Sequence, residues 1–228
     1  MKVKTNVKLV TDILMSALVL FLFGYQLWGE AAHEWAGIAT FILFILHHIL
    51  NGKWHKNILK GGYTPLRTVL LITDIFITFA VLSLMYSGIT VSKHIFTFLP
   101  SGNIAFARRL HILGSYWGFI LLAFHFGLHI SALKGILKLQ FPKGRSRLRN
   151  TAGLIVSAVI AVYGVYTFIK RGFPTYLFLK SEFVFMDYSE SKLIFYADLL
   201  AIAFLFAFFA FYISKFLKRK SGKQNENT

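Results

Sequence analysis

Six nearly uninterrupted apolar blocks of about 20 residues each constrain this chain more than any other feature. A helix of that length spans the roughly 30 Å hydrocarbon core of a bilayer. In lipid, only helices and closed barrels satisfy their own backbone hydrogen bonds. The blocks fall at about 9–27, 35–50, 66–89, 110–133, 151–169 and 193–212. The second is short unless its helix starts before His33, as is expected here. Only 15% of the 228 residues are charged, against roughly a quarter in soluble domains. The chain therefore reads as an all-α, multi-pass membrane protein with six transmembrane helices.

The net charge of +16 does not indicate nucleic acid, because the basic residues sit in short clusters between apolar blocks. There they orient the chain and meet anionic lipid headgroups. The N-terminal segment, the 51–67 loop, the 134–150 loop and the C-terminal tail hold 18 of the 25 Lys and Arg residues. The alternate loops hold the other seven, together with Glu30, Glu34, Glu182, Asp187 and Glu190. The positive-inside rule then places both termini in the cytoplasm, as an even number of crossings requires, and the protein in the cell membrane. Lys2, Lys4 and Lys8 ahead of an apolar run resemble a secretory signal. Asp12 within the run and the lack of a small-residue cleavage site favour a retained helix.

Cysteine is absent, which excludes disulfides, thiolate metal sites, iron–sulfur clusters and c-type haem attachment. No glycine-rich phosphate cradle follows a strand, so nucleotide chemistry within the chain is not expected. The tail from about residue 217 is basic and polar, and its composition predicts disorder.

An internal repeat carries the chemistry. Thr11-Asp12-Ile13 recurs as Thr73-Asp74-Ile75, and His33 and His47 recur as His111 and His125. Fourteen residues separate the histidines of each pair. At about 100° and 1.5 Å per residue, that spacing puts both on nearly one helix face, about 21 Å apart along the axis. The second and fourth helices run in the same direction, so His33 is level with His111 and His47 with His125. Each level then offers the two axial imidazoles that a low-spin b-type haem needs. Two haems, one near each surface, are expected.

Other readings compete. An intramembrane histidine often only bonds a neighbouring helix, although two matched pairs are harder to explain that way. A structural or assembly subunit would be colourless. A metal or haem transporter would carry exchangeable cofactor, and His125 and His129, one turn apart, could share an ion. No intramembrane carboxylate or thiol at matching depth was expected to complete a zinc set. Arg108 and Arg109, just before His111, are candidates to pair with the propionates of the outer haem. Lys53, Lys56 and Arg67 are weaker inner candidates. Gly24, Gly88, Gly114 and Gly118 suit either close approach to a flat macrocycle or ordinary helix packing. Asp12 and Asp74 read as proton acceptors, helix caps or lysine partners, and are left outside the site.

The segments His33-x13-His47-x3-Asn51-x2-Trp54 and His111-x2-Gly114-x10-His125-x3-His129 resemble the flavinylation-associated b-type membrane cytochromes over roughly residues 7–135. The paired spacing is also similar to cytochrome b of the respiratory bc complex and to ferric-reductase-like membrane domains. The resemblance implies transmembrane electron transfer from the quinol pool to an extracytosolic flavoprotein or another outer reductase. A ferric reductase would need a nicotinamide and flavin domain, which this sequence lacks. The expected architecture is a duplicated-hairpin, four-helix haem bundle over 1–135, a two-helix extension over 136–216 and a polar tail over 217–228.

Overall fold

The computed structural model describes residues 2–99, 102–136 and 147–225, and its regular elements are all helices. Six are long and apolar enough to cross a membrane, over Thr5–Phe23, Glu30–Leu50, Pro65–Val91, Ile104–Ile130, Thr151–Lys170 and Lys192–Arg219. They belong to α1 (Lys2–Phe23), α3 (Glu30–Leu50), α5 (Pro65–Val91), α6 (Ile104–Ile136), α7 (Arg147–Lys170) and α9 (Lys192–Asn225). Short helical turns α2 (Tyr25–Trp28), α4 (Gly52–Asn57) and α8 (Phe173–Leu177) lie between them. This is the architecture of a multi-pass membrane protein. The face bearing the start of α1 and the end of α9 is named inner, and the opposite face outer.

Helix ends follow local chemistry. The first apolar block extends to about residue 27, yet α1 stops at Phe23. The chain turns at Gly24, where a side chain would strike the Tyr196 hydroxyl and Trp28 of the outer face. Gly29, at φ +88°, then swings the chain into α3, a conformation that costs glycine little. As expected, α3 begins ahead of His33. Pro65 opens α5 behind Thr64, whose side chain accepts from Arg67 N at 3.3 Å. Asn103 Oδ1 accepts from Phe106 N at 3.0 Å at the start of α6. Arg67 donates to the carbonyls of Asn57, Ile58 and Gly62 and lies over the Tyr63 ring, closing the inner 57–67 turn. It is therefore committed to that turn.

The two repeats form two hairpins, α1/α3 and α5/α6, each packed closely within itself, while α3 meets α5 only sparingly. The best-buried apolar cluster lies elsewhere. It joins Ile112, Tyr116, Phe119 and Ile120 of α6 to Phe173, Tyr176 and Leu177 of α8 and to Phe195, Leu199 and Ile202 of α9. Phe23 of α1 stacks on Phe173 with the ring planes 1° apart. The two-helix extension thus supplies the backing against which the fourth crossing is held. Close backbone approach makes this possible. A side chain at Gly127 would collide with Ala207 and Ala210, and one at Gly164 with Ala201 and Leu205.

A charged network pins the outer end of that extension. Fully buried Asp198 accepts from Tyr163 Oη at 2.6 Å, Lys170 Nζ at 2.9 Å and Arg171 Nη2 at 2.6 Å. Lys170 and Arg171 also pair with Glu190 at 2.9 and 2.6 Å. Helix α9 continues to Asn225, into the tail where composition predicts disorder. Lys and Arg are good helix formers, so a helix already anchored by its crossing extends through them. Residues 226–228 of that tail and 137–146 of the basic loop lie outside the described residues.

Candidate functional site

At the outer level, His33 of α3 and His111 of α6 face each other with ring centroids 5.9 Å apart and planes at 61°. Both rings are held by their Nδ1 atoms. His33 Nδ1 lies 3.0 Å from the carbonyl oxygen of Leu22, one of the last carbonyls of α1, which the break at Gly24 leaves without a helical partner. A carbonyl only accepts, so His33 Nδ1 carries the hydrogen. His111 Nδ1 lies 3.0 Å from Ser87 Oγ, and Ser87 donates its own hydrogen to Leu84 O at 3.1 Å. With that hydrogen on Leu84, Ser87 accepts from His111. In His33, and in that tautomer of His111, Nε2 is left as the lone-pair nitrogen, the form that ligates a metal. Tyr25 meets the His33 ring edge-on at 5.3 Å and donates to Glu30 Oε1 at 2.8 Å. Burial, then the Glu30 hydrogen bond and charge, push this phenol up to about 12, so it stays a neutral donor.

Glu34 fixes the spacing of this level. Its carboxylate accepts from Ser92 Oγ at 2.7 Å and from the backbone N–H groups of Lys93, His94 and Ile95 at 2.8, 3.2 and 3.0 Å. One residue from His33, this contact ties the start of α3 to the end of α5. It compensates for the sparse packing between the hairpins.

At the inner level each histidine meets a carboxylate from the first helix of its own hairpin. His47 Nδ1 is 2.7 Å from Asp12 Oδ1, and His125 Nδ1 is 2.8 Å from Asp74 Oδ1. The second contact is close but off the line of a well-formed hydrogen bond, leaving the buried His125 Nδ1 without an aligned acceptor. Asn51 Nδ2 stands 3.3 Å from His47 Nε2, and Lys8 donates to Asn51 Oδ1 at 2.7 Å. His129 lies 4.6 Å from the His125 ring and within electrostatic reach of Asp12, Asp74 and His47. The inner histidines gather around the two carboxylates, but among the described residues the His47 and His125 rings show no direct approach like the edge-on contact of the outer pair. Ligation at His47 requires Asn51 to give way.

The repeat is physical as well as textual. Thr11 and Thr73 are both buried and both donate to the carbonyl four residues back, at 2.9 and 2.8 Å. Ser16 and Thr78 likewise donate to the carbonyls of Asp12 and Asp74, each at 2.8 Å. In each hairpin the first helix holds the imidazoles that the second presents.

The outer donor set is two imidazoles with ring centres 5.9 Å apart. Metal–imidazole bonds of about 2 Å each place two opposed nitrogens about 4 Å apart, with ring centres somewhat farther; the 5.9 Å centroid separation is of the same order. Two histidines alone suit a metal whose remaining positions are filled by a macrocycle. Among the described residues, no group of three or more His, Cys, Asp or Glu side chains is placed to hold a bare ion.

Other sequence candidates sort differently. Arg109 Nε is bound to Glu182 Oε1 at 2.6 Å, while Arg108 has no ion pair among the described residues. His48 Nδ1 lies 3.0 Å from His55 Nε2, so these two engage each other, and His94 approaches Glu30 at 3.7 Å. Gly114 and Gly118 face Leu84 and Ala80 of α5, which is ordinary helix packing. Gly88 would bring a side chain within 3.8 Å of His111. An outer cavity of about 320 Å³ lies between Tyr86, Thr90, Phe96 and Leu99, and none of the four histidines lines it.

Asp12 and Asp74 were in plain view as a repeat, yet sequence reasoning left them outside the site. Their shared depth with His47 and His125 was the available signal. Leu22, Ser87 and Glu34 carried none, since a backbone carbonyl, a lone serine and a carboxylate at a helix start acquire roles only through folding. Comparison with protein-family models, with curated proteins and with solved structures finds no match for the chain.

Proposed function

We propose that this chain is a di-haem b-type cytochrome that carries electrons across the cell membrane, from quinol to an extracytosolic flavoprotein. The observation that carries the reading is the arrangement of the four histidines. Three have their Nδ1 hydrogen-bonded by a group from the first helix of their own hairpin, the fourth, His125, lies 2.8 Å from Asp74 of its own hairpin, and the outer two stand with ring centroids 5.9 Å apart. His33 and His111 would hold the outer haem, and His47 and His125 the inner one. When bound, each haem supplies reversible one-electron chemistry at its iron.

The residues of the chain do the rest. Nδ1 partners fix ring orientation and leave Nε2 as the donor atom. Glu34 holds the outer imidazoles in register across the two hairpins. The α6/α8/α9 cluster keeps the fourth crossing rigid and apolar. Arg108, with no ion pair among the described residues, is the better placed of the two arginines to meet a propionate or an acidic partner. The basic inner loops support a topology with both termini cytoplasmic.

Alanine variants read by visible spectroscopy test the pairing. Replacing His33 or His111 should remove one spectral component, and replacing His47 or His125 the other. If His33→Ala and His47→Ala abolish the same component, the two-level arrangement is wrong. In liposomes, quinol should reduce the protein and an outer flavin-bearing partner should reoxidise it. Failure of several quinols, with ready reduction by a soluble donor from the inner face, would overturn the assigned direction.

A further inference from the structure

We infer that Asp12 and Asp74 are positioning residues that make the inner level harder to reduce than the outer one. This inference rests on the di-haem reading. The two levels differ in what meets each Nδ1. The outer partners are neutral, the Leu22 carbonyl and the Ser87 hydroxyl, each at 3.0 Å. The inner partners are carboxylates, at 2.7 Å for Asp12 and 2.8 Å for Asp74.

A carboxylate accepting the Nδ1 hydrogen draws it from the ring and makes Nε2 a stronger donor. A stronger donor favours the more highly charged, oxidised metal. The carboxylate's own negative charge acts in the same sense, since it stabilises a ferric centre over a ferrous one in a medium of low dielectric. Neutral partners do neither. Lys8 reaches His47 only through the neutral Asn51 side chain. Asp12 acts on His47 through both the hydrogen bond and its charge, and Asp74 acts on His125 through its charge at 2.8 Å, while neither outer Nδ1 meets a carboxylate. An electron placed on the inner level would then lie uphill of the outer one.

The test is a spectroelectrochemical titration of the full chain in nanodiscs, with components assigned by the histidine variants. The native protein should titrate in two one-electron components, the inner one at lower potential. Asp12→Asn and Asp74→Asn should each raise that component about tenfold in its reduction equilibrium, about 59 mV for one electron, and leave the other unmoved. Asp12→Glu should restore most of the shift. Ser87→Ala should move only the outer component.

An inner component at equal or higher potential overturns the inference, even if an Asn variant fails to take up haem. So does an Asn variant that moves both components alike. Two bound haems with no Asn effect defeat this inference alone, whereas protein that binds no haem defeats the functional reading beneath it.

Discussion

Asp198→Asn should cost about 3 kcal/mol of stability, and the network around it explains why the figure is neither smaller nor much larger. Asp198 is fully buried and accepts four hydrogen bonds, from Tyr163, Lys170 and two nitrogens of Arg171. Removing one partner of a buried ion pair typically costs about 3–5 kcal/mol, because the other charge is stranded. Here the stranding is incomplete, since Glu190 still holds Lys170 at 2.9 Å and Arg171 at 2.6 Å. Lys170 is also 34% exposed, so part of its charge is screened. The loss therefore sits near the lower end of the range. For a chain of this size, about 3 kcal/mol corresponds to a fall in Tm of about 6–12 °C. Thermal unfolding in detergent, followed by circular dichroism, measures it. Tyr163→Phe, which removes one hydrogen bond, should lose about 1 kcal/mol. A fall below about 2 °C for Asp198→Asn would refute the reasoning, because it would show that Asp198 does not hold α7 to α9.

Three further outcomes follow from particular contacts. Glu34→Ala strips the acceptor from the N–H groups of Lys93, His94 and Ile95. Their amide exchange should quicken by at least about tenfold, the equivalent of about 1.4 kcal/mol of lost protection. Gly164→Leu drives a side chain into Ala201 and Leu205 and should destabilise the chain by about 1–3 kcal/mol, while Gly153→Leu, facing open space, should be neutral on thermal unfolding. Glu190 lies outside the spans; burial favours its neutral form, but hydrogen bonds from Lys170 and Arg171 outweigh this and hold its carboxyl below the usual range. Its folded pKa is lowered, so its contribution is complete above the ordinary glutamate value of about 4.3 and is lost as pH falls through the folded value. Between about pH 5 and pH 3, Glu190→Gln should therefore lose less Tm than the native chain.

The six crossings were legible because apolar length is a property of sequence alone, and the structure lengthens most of them, starting α3 and α6 five and six residues earlier and carrying α9 past residue 212 to Asn225. The exception is α1, where Gly24 cuts an apolar run that hydropathy reads straight through. The histidine repeat was legible because helical geometry converts fourteen residues into depth and direction. What surrounds the histidines was not. The Leu22 carbonyl is available to His33 only because a helix ends there, and Ser87 meets His111 only through the α5/α6 packing. Asp12 and Asp74 illustrate a different failure: an intramembrane carboxylate has several plausible partners, and sequence depth alone does not choose among lysine, cap and histidine. Residues 151–228 had no assigned role, yet Asp198 and the α8 aromatic cluster brace the helix that presents His111 and His125.

The measurement that bears most directly on the central claim is haem quantification of the purified, fully loaded chain by the pyridine haemochrome method, together with its visible spectrum. Two non-covalent haems per chain, six-coordinate and low-spin, are predicted. One haem per chain would show that the inner histidines do not form a second site, and colourless protein would contradict the cytochrome reading altogether.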